Sequence, residues 1–80
     1  MKYKIYGTEQ CPFCMMAKRL LERKNIEYEY LTMEAGSDIL VEIKERTEQQ
    51  TVPLIFEVAE DGKEIFIGGF SDLNTKLTKI

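Results

Sequence analysis

The 80-residue chain has no histidine, only two cysteines and only two prolines. A structural zinc site wants four Cys or His donors, so zinc here would need a dimer or carboxylate ligands, and no metal site is expected. No segment approaches the ~18 apolar residues of a membrane span. The apolar start is broken by Thr8, Glu9 and Gln10 before it reaches the ~7–15 apolar residues of a signal peptide. The 11 basic residues, against 14 acidic ones for a net charge of -3, form no block suited to a nucleic-acid backbone. There is no repeat, low-complexity tract or linker. These absences predict one domain over residues 1–80, monomeric and cytoplasmic, with neither nucleic acid nor membrane as partner. A chain this short buries about 60–65% of its unfolded surface. Its core is small, and chemistry is better suited to a surface groove than to an enclosed pocket.

What is present begins with Cys11-Pro12-Phe13-Cys14, which holds both cysteines. The pair follows a strand-like run, Tyr3-Lys4-Ile5-Tyr6, and opens a helix-like one from Met15 to Lys24. A thiol there meets unpaired N–H groups and the positive end of a helix, which favours the thiolate, the form that attacks disulfides. A permanent disulfide is not expected in a reducing compartment, and closing a four-residue loop stabilises a fold by at most about 2 kcal/mol. The pair is badly placed as a staple and well placed for exchange. Two buried small hydrophobes are the bland alternative, disfavoured by Pro12 and the strand–helix context.

The roles divide by position. Cys11, at the turn, is expected to be the more exposed thiol and to attack a substrate disulfide. Cys14, one turn further in, attacks Cys11 and releases the reduced substrate. Lowering a thiol pKa from ~8.5 to ~5 raises the ionised fraction at pH 7 about 30-fold. A Brønsted slope of ~0.4–0.5 cancels most of that gain in attack, so the benefit lies in departure: a low-pKa sulfur is a good leaving group.

The rest of the chain reads as alternating elements. Lys2 to Tyr6 is a strand. Pro12 to about Lys24 is a helix with Cys11 near its N-cap, Pro12 at its first position, and Ala17, Leu20 and Leu21 facing inward. Its basic end, Lys18, Arg19, Arg23 and Lys24, suits the helix dipole; the alternative is a docking face for an acidic protein. Asn25 marks a stop, and Ile26 to Thr32 is a second strand. Ser37 caps a helix reaching about Gln49, with Ile39, Leu40 and Ile43 as inward candidates. Leu54 to Val58 is a central strand covered on both faces, Asp61-Gly62 a hairpin turn, and Ile65-Phe66-Ile67 its partner. Gly68-Gly69 breaks that strand. Ser71 opens a last helix with Leu73, Leu77 and Ile80 on one face. The order β-α-β-α-β-β-α predicts an α/β fold with a four-stranded mixed sheet and helices on both faces.

Two further segments carry chemistry. Thr51-Val52-Pro53 is ordinarily a strand start, where proline is allowed. With a cis Val52–Pro53 bond, the Val52 backbone would be free to pair with an extended peptide. Gly68-Gly69-Phe70-Ser71-Asp72 is ordinarily a stop between strand and helix. It also offers a close backbone approach and an N-terminus that can hold a carboxylate.

Taken together, C-P-F-C, T-V-P before the third strand and G-G-F-S-D before the last helix resemble the glutaredoxin family, short dithiol type, over nearly the whole chain, including the A-K-R-L-L run of the first helix. The resemblance implies a thioredoxin-like fold, a cis Pro53 and glutathione as reductant and co-substrate, with no tightly bound cofactor. It implies a glutathione groove beside Cys11. Phe13 would line it, Val52 would pair with the glutathione cysteine, and Ser71 and Asp72, following Gly69 and Phe70, would receive its γ-glutamyl end. Gln49 would approach the glycine carboxylate, with Thr51 on the same wall. The implied activity is reduction of protein disulfides through Cys11 and Cys14 and of protein–glutathione mixed disulfides through Cys11, with ribonucleotide reductase as a suggested partner. Thr8 departs from the family's usual lysine three residues before the first cysteine, which should weaken glutathione binding and depress the Cys11 pKa less. Phe13 replaces the commoner tyrosine. The alternatives are a redoxin of the same fold fed by thioredoxin reductase, and a dimeric iron–sulfur carrier using Cys11 and glutathione.

Overall fold

The computed structural model describes residues 2–34 and 36–78; the expectation for Ile80 lies outside them. The elements are β1 (Lys2–Gly7), α1 (Pro12–Arg23), β2 (Glu27–Thr32), α2 (Asp38–Thr47), β3 (Leu54–Val58), β4 (Glu64–Gly68) and α3 (Phe70–Thr78). The sheet order is β2-β1-β3-β4. β1 pairs parallel with β2, and β3 pairs antiparallel with both β1 and β4. This is the thioredoxin-like arrangement. Among the described residues no helix is long and apolar enough to cross a membrane.

Strand alternation assigns the two faces of the sheet. Tyr3, Ile5 and Ile55 point to one side, where they pack with Ala17, Leu20 and Leu21 of α1 and Leu73 of α3. Leu54 and Phe56 point to the other, against Leu40 and Ile43 of α2. β3 is therefore covered on both sides, as its apolar run predicts. Tyr6, Phe56 and Phe66 continue the second cluster with ring centroids 5.6 and 5.3 Å apart, Phe56 being common to both pairs.

Local chemistry sets the boundaries. Asn25 adopts the left-handed conformation (φ 56°) that ends a helix. The Ile26 N–H then donates to Leu21 O at 3.0 Å. That donor is unavailable to the sheet, so β2 begins at Glu27 rather than Ile26. Ser37 caps α2 through its hydroxyl, which accepts from the Leu40 N–H at 3.3 Å. Glu48, at φ 58°, stops the helix two residues short of Gln49. Ile39 is not inward as expected: it is 57% exposed, because Leu40 and Ile43 alone complete the stripe facing the sheet. α3 starts at Phe70, one residue before Ser71, because the Gly69 carbonyl already accepts the Leu73 N–H at 3.1 Å. Gly68 closes β4 rather than breaking it.

Candidate active site

Two helix N-termini and one loop meet at the same end of the sheet. The first N-terminus carries the dithiol. Cys11 is extended (φ -136°, ψ 98°) and caps α1, with Pro12 at the first helical position. Its carbonyl accepts the Met15 N–H at 3.1 Å, and its Sγ accepts the Cys14 N–H at 3.1 Å. Sulfur is thus the capping atom of the helix, the role normally given to a serine or aspartate oxygen. In reduced protein the same N–H and the positive helix end would stabilise charge on Cys11.

The structure shows the two cysteines joined, with Cα atoms 5.2 Å apart. Cys11 is 7% exposed and Cys14 fully buried. The expected order of exposure holds, but Cys11 is not open to solvent in this disulfide form. Its sulfur is turned inward onto Cys14 and the Cys14 amide. Gly7 stands beneath Cys14, with the Tyr30 hydroxyl on the same side. Burial pushes the Tyr30 phenol above its ordinary range. Neither neighbour carries a sequence motif, and only the strand register brings them to the dithiol.

A groove of about 410 Å³ begins at Phe13, two residues past Cys11. Its lining brings together Phe13, Gln49, Thr51, Val52, Pro53, Gly69, Phe70, Ser71 and Asp72, all nine positions implied by the resemblance. The rings of Phe13 and Phe70 form an apolar wall with centroids 6.3 Å apart. The Val52–Pro53 bond is cis. Among the described residues no hydrogen bond engages the Val52 N–H or C=O, so both are free to pair with an extended ligand.

Two side chains in the groove have internal duties. Gln49 Nε2 donates to Thr51 O at 3.1 Å and to Pro53 O at 3.0 Å. Both N–H groups are committed, which leaves only an acceptor oxygen. In this structure Gln49 holds the loop rather than offering a donor to a carboxylate. Asp72 Oδ2 accepts the Gly69 N–H at 3.0 Å, fixing the entry to α3. Gly68, at φ 129°, lies under this carboxylate, and a Cβ there would collide with it. The other Asp72 oxygen and the first-turn N–H groups of α3 remain for a ligand carrying both amine and carboxylate.

Thr8 lies outside the groove. It lines a separate cleft with Glu9, Thr32, Met33 and Glu34. A larger cavity of about 600 Å³, bounded by Met16, Arg19, Glu22, Arg23 and Phe70, contains no thiol and adjoins the groove at Phe70. Among the described residues no group of three or more Cys, Asp or Glu side chains is placed to hold a metal ion.

The family model named Glutaredoxin matches residues 3–63. Glutaredoxin-2 of Schizosaccharomyces pombe is 41% identical over 73 residues, covering 88% of this chain and 62% of that protein. The chain thus spans less than two thirds of that relative. Glutaredoxin 3 of Escherichia coli K12 is 36% identical over 69 residues, covering 86% of this chain and 77% of that protein. The solution structure of glutaredoxin from Brucella melitensis superposes with a TM-score of 0.78 at 30% identity, covering 99% of this chain and 80% of that one.

Proposed function

Because the chain belongs to the glutaredoxin family, whose members are generally thiol–disulfide oxidoreductases, we propose that residues 1–80 act as one glutathione-dependent enzyme of that class. The observation that carries this reading is the groove that joins Phe13, next to the dithiol, to the Val52 backbone and the α3 N-terminus. It matches glutathione piece by piece. The unpaired Val52 N–H and C=O suit the backbone of its cysteine. Ser71, Asp72 and the α3 N–H groups suit the zwitterionic γ-glutamyl end. The Phe13–Phe70 wall suits the apolar stem between them.

The chemistry follows from sulfur placement. The Cys11 thiolate attacks one sulfur of a substrate disulfide, forming a mixed disulfide and releasing a substrate thiolate. With a protein disulfide, Cys14 then loses its proton and attacks Cys11 Sγ. That step expels the second substrate thiolate and closes the Cys11–Cys14 bond seen here. With a glutathionylated protein, Cys11 takes up the glutathionyl group and a second glutathione removes it as glutathione disulfide. That route consumes one free glutathione, since the other half of the glutathione disulfide comes from the substrate; reopening the Cys11–Cys14 disulfide consumes two. The helix end makes Cys11 a good leaving group in the step where glutathione removes the glutathionyl group from it.

Three measurements test this. Glutathione should restore the reduced dithiol far faster than thioredoxin reductase with NADPH; the reverse result assigns the chain to the thioredoxin-reductase-fed class. Cys11→Ser should abolish all turnover. Cys14→Ser should keep deglutathionylation and lose reduction of a protein disulfide, for which ribonucleotide reductase is the suggested substrate. Equal loss in both assays removes the division of labour.

A further inference from the structure

The cavity beyond Phe70 is not needed for glutathione, yet it adjoins the proposed glutathione groove at that ring, which lines both. On α1 the residues leading to it are Phe13, Met16, Arg19 and Arg23, spaced three, three and four apart and therefore on one helical face. Phe13 and Met16 are exposed apolar side chains. Arg19 and Arg23 are exposed and, among the described residues, make no ion pair or hydrogen bond. The one carboxylate in the lining, Glu22, accepts the Tyr28 hydroxyl at 2.6 Å, and the two arginines outnumber it. Arg23 also opens onto a neighbouring cleft with Lys24. The chain as a whole is acidic, at -3, so this cationic stretch is a local feature. The separate cleft at Thr8 carries Glu9 and Glu34 and has no cation in its lining.

We propose that the Met16–Arg19–Arg23–Phe70 surface docks an acidic segment of the protein substrate, one that carries an apolar side chain and flanks the reacting cysteine. The proposal rests on the oxidoreductase reading and adds to it the kind of protein that the site selects. The apolar residue lies on Met16 and Phe70, and the carboxylates face Arg19 and Arg23. Like charges repel at these guanidiniums, so a basic flank is disfavoured.

The test uses two glutathionylated peptides that differ only in the flank, Leu-Asp-Asp-Glu in one and Leu-Lys-Lys-Lys in the other, with glutathione as reductant. The readout is the ratio of their kcat/KM values within each protein. In wild type at low salt the acidic peptide should be favoured about tenfold, the scale of two exposed ion pairs. The ratio should fall towards one in ~0.5 M salt, where screening is strong. In the R19E/R23E variant it should invert, and in R19A/R23A it should approach one. An identical ratio in wild type and R19E/R23E overturns the docking surface and leaves the enzyme reading intact. Wild type inert towards both peptides overturns the enzyme reading and the docking proposal with it.

Discussion

Gly7 and Cys14 stand so close that a Cβ on Gly7 would lie 2.5 Å from Cys14 Sγ and 3.3 Å from Cys14 Cβ. The last residue of β1 must therefore be glycine for the second sulfur to sit beneath the first helical turn. Cys14 is fully buried there. Gly7→Ala should displace Cys14 from Cys11 and cost about 1–3 kcal/mol through overpacking. The chemical consequence should be selective. Closure of the Cys11–Cys14 disulfide slows at least tenfold, while removal of glutathione from a peptide, which needs Cys11 alone, stays within about threefold of wild type. Thiol-trapping time courses and a deglutathionylation assay measured on the same preparation separate the two. Equal slowing of both would make Gly7 a residue of general stability only.

Asp72 has two duties that different substitutions should separate. One oxygen caps the Gly69 N–H, and the carboxylate charge faces the groove. Asp72→Asn keeps an oxygen for the cap and removes the charge. It should raise KM for glutathione about three- to tenfold, with thermal stability nearly unchanged. Asp72→Ala loses the cap as well and should also destabilise the fold by about 0.5–2 kcal/mol. Unfolding curves and glutathione titrations on both variants check the split. Unchanged KM in Asp72→Asn would remove the γ-glutamyl assignment.

Much of this architecture was legible because it is decided locally. Cys11 before Pro12 announces a helix start, Asn25 a stop, Ser37 a cap, and Asp61-Gly62 a turn. Each outcome depends on a few neighbouring residues. The groove residues were legible for another reason: three short motifs occur together in the order of a known family. What was hidden depends on contacts across the fold. Gly7 looks like any strand-end glycine until β1 and α1 are juxtaposed. Gln49 looks like a ligand donor until Thr51 O and Pro53 O are seen to take both its protons. Ile39 looks as apolar as Leu40, and only the packing of Leu40 and Ile43 on the sheet leaves it in water. The Cys11 sulfur reads as open from its place at a helix tip, but bonding to Cys14 turns it inward.

Tyr28 gives the fold a dependence on high pH. Its ring packs against the core, and its hydroxyl donates to Glu22. Burial, and then the Glu22 bond, push its ionisation up to about 12. An unfolded tyrosine ionises near 10. The stabilisation is therefore complete below pH ~10 and is lost as pH rises towards ~12, where the unfolded chain has released a proton that the folded one retains. The pair is at the surface, so the loss should be about 1 kcal/mol or less. Urea unfolding of wild type and Tyr28→Phe at pH 9 and pH 11.5 isolates it from the other tyrosines and the lysines. The difference between the two proteins should shrink at the higher pH. A constant difference would show that the bond does not couple ionisation to folding.

Gln49 bridges two carbonyls of the loop that carries Val52, and the geometry requires a donor. An oxygen in the place of Nε2 would face Thr51 O and Pro53 O at close to 3 Å with no proton between them. Gln49→Glu is nearly isosteric but supplies a carboxylate to two acceptors. The loop should open, at a cost of about 1–3 kcal/mol for the unsatisfied oxygens. Glutathione KM should rise about tenfold, since the Val52 backbone would no longer be held for pairing. A protonated glutamic acid has one donor to return to the loop, so the defect should be partly relieved at pH ~4.5. Gln49→Met, which has no charge and no donor, should show the loss at both pH values. Binding of oxidised glutathione, followed by calorimetry at pH 4.5 and pH 7, is the appropriate readout, because turnover falls in acid as thiols protonate. Partial recovery in Gln49→Glu alone would establish Gln49 as the residue that positions the loop. If both variants bind as tightly as wild type at pH 7, the two bonds are dispensable and Pro53 is held by its neighbours in the sheet.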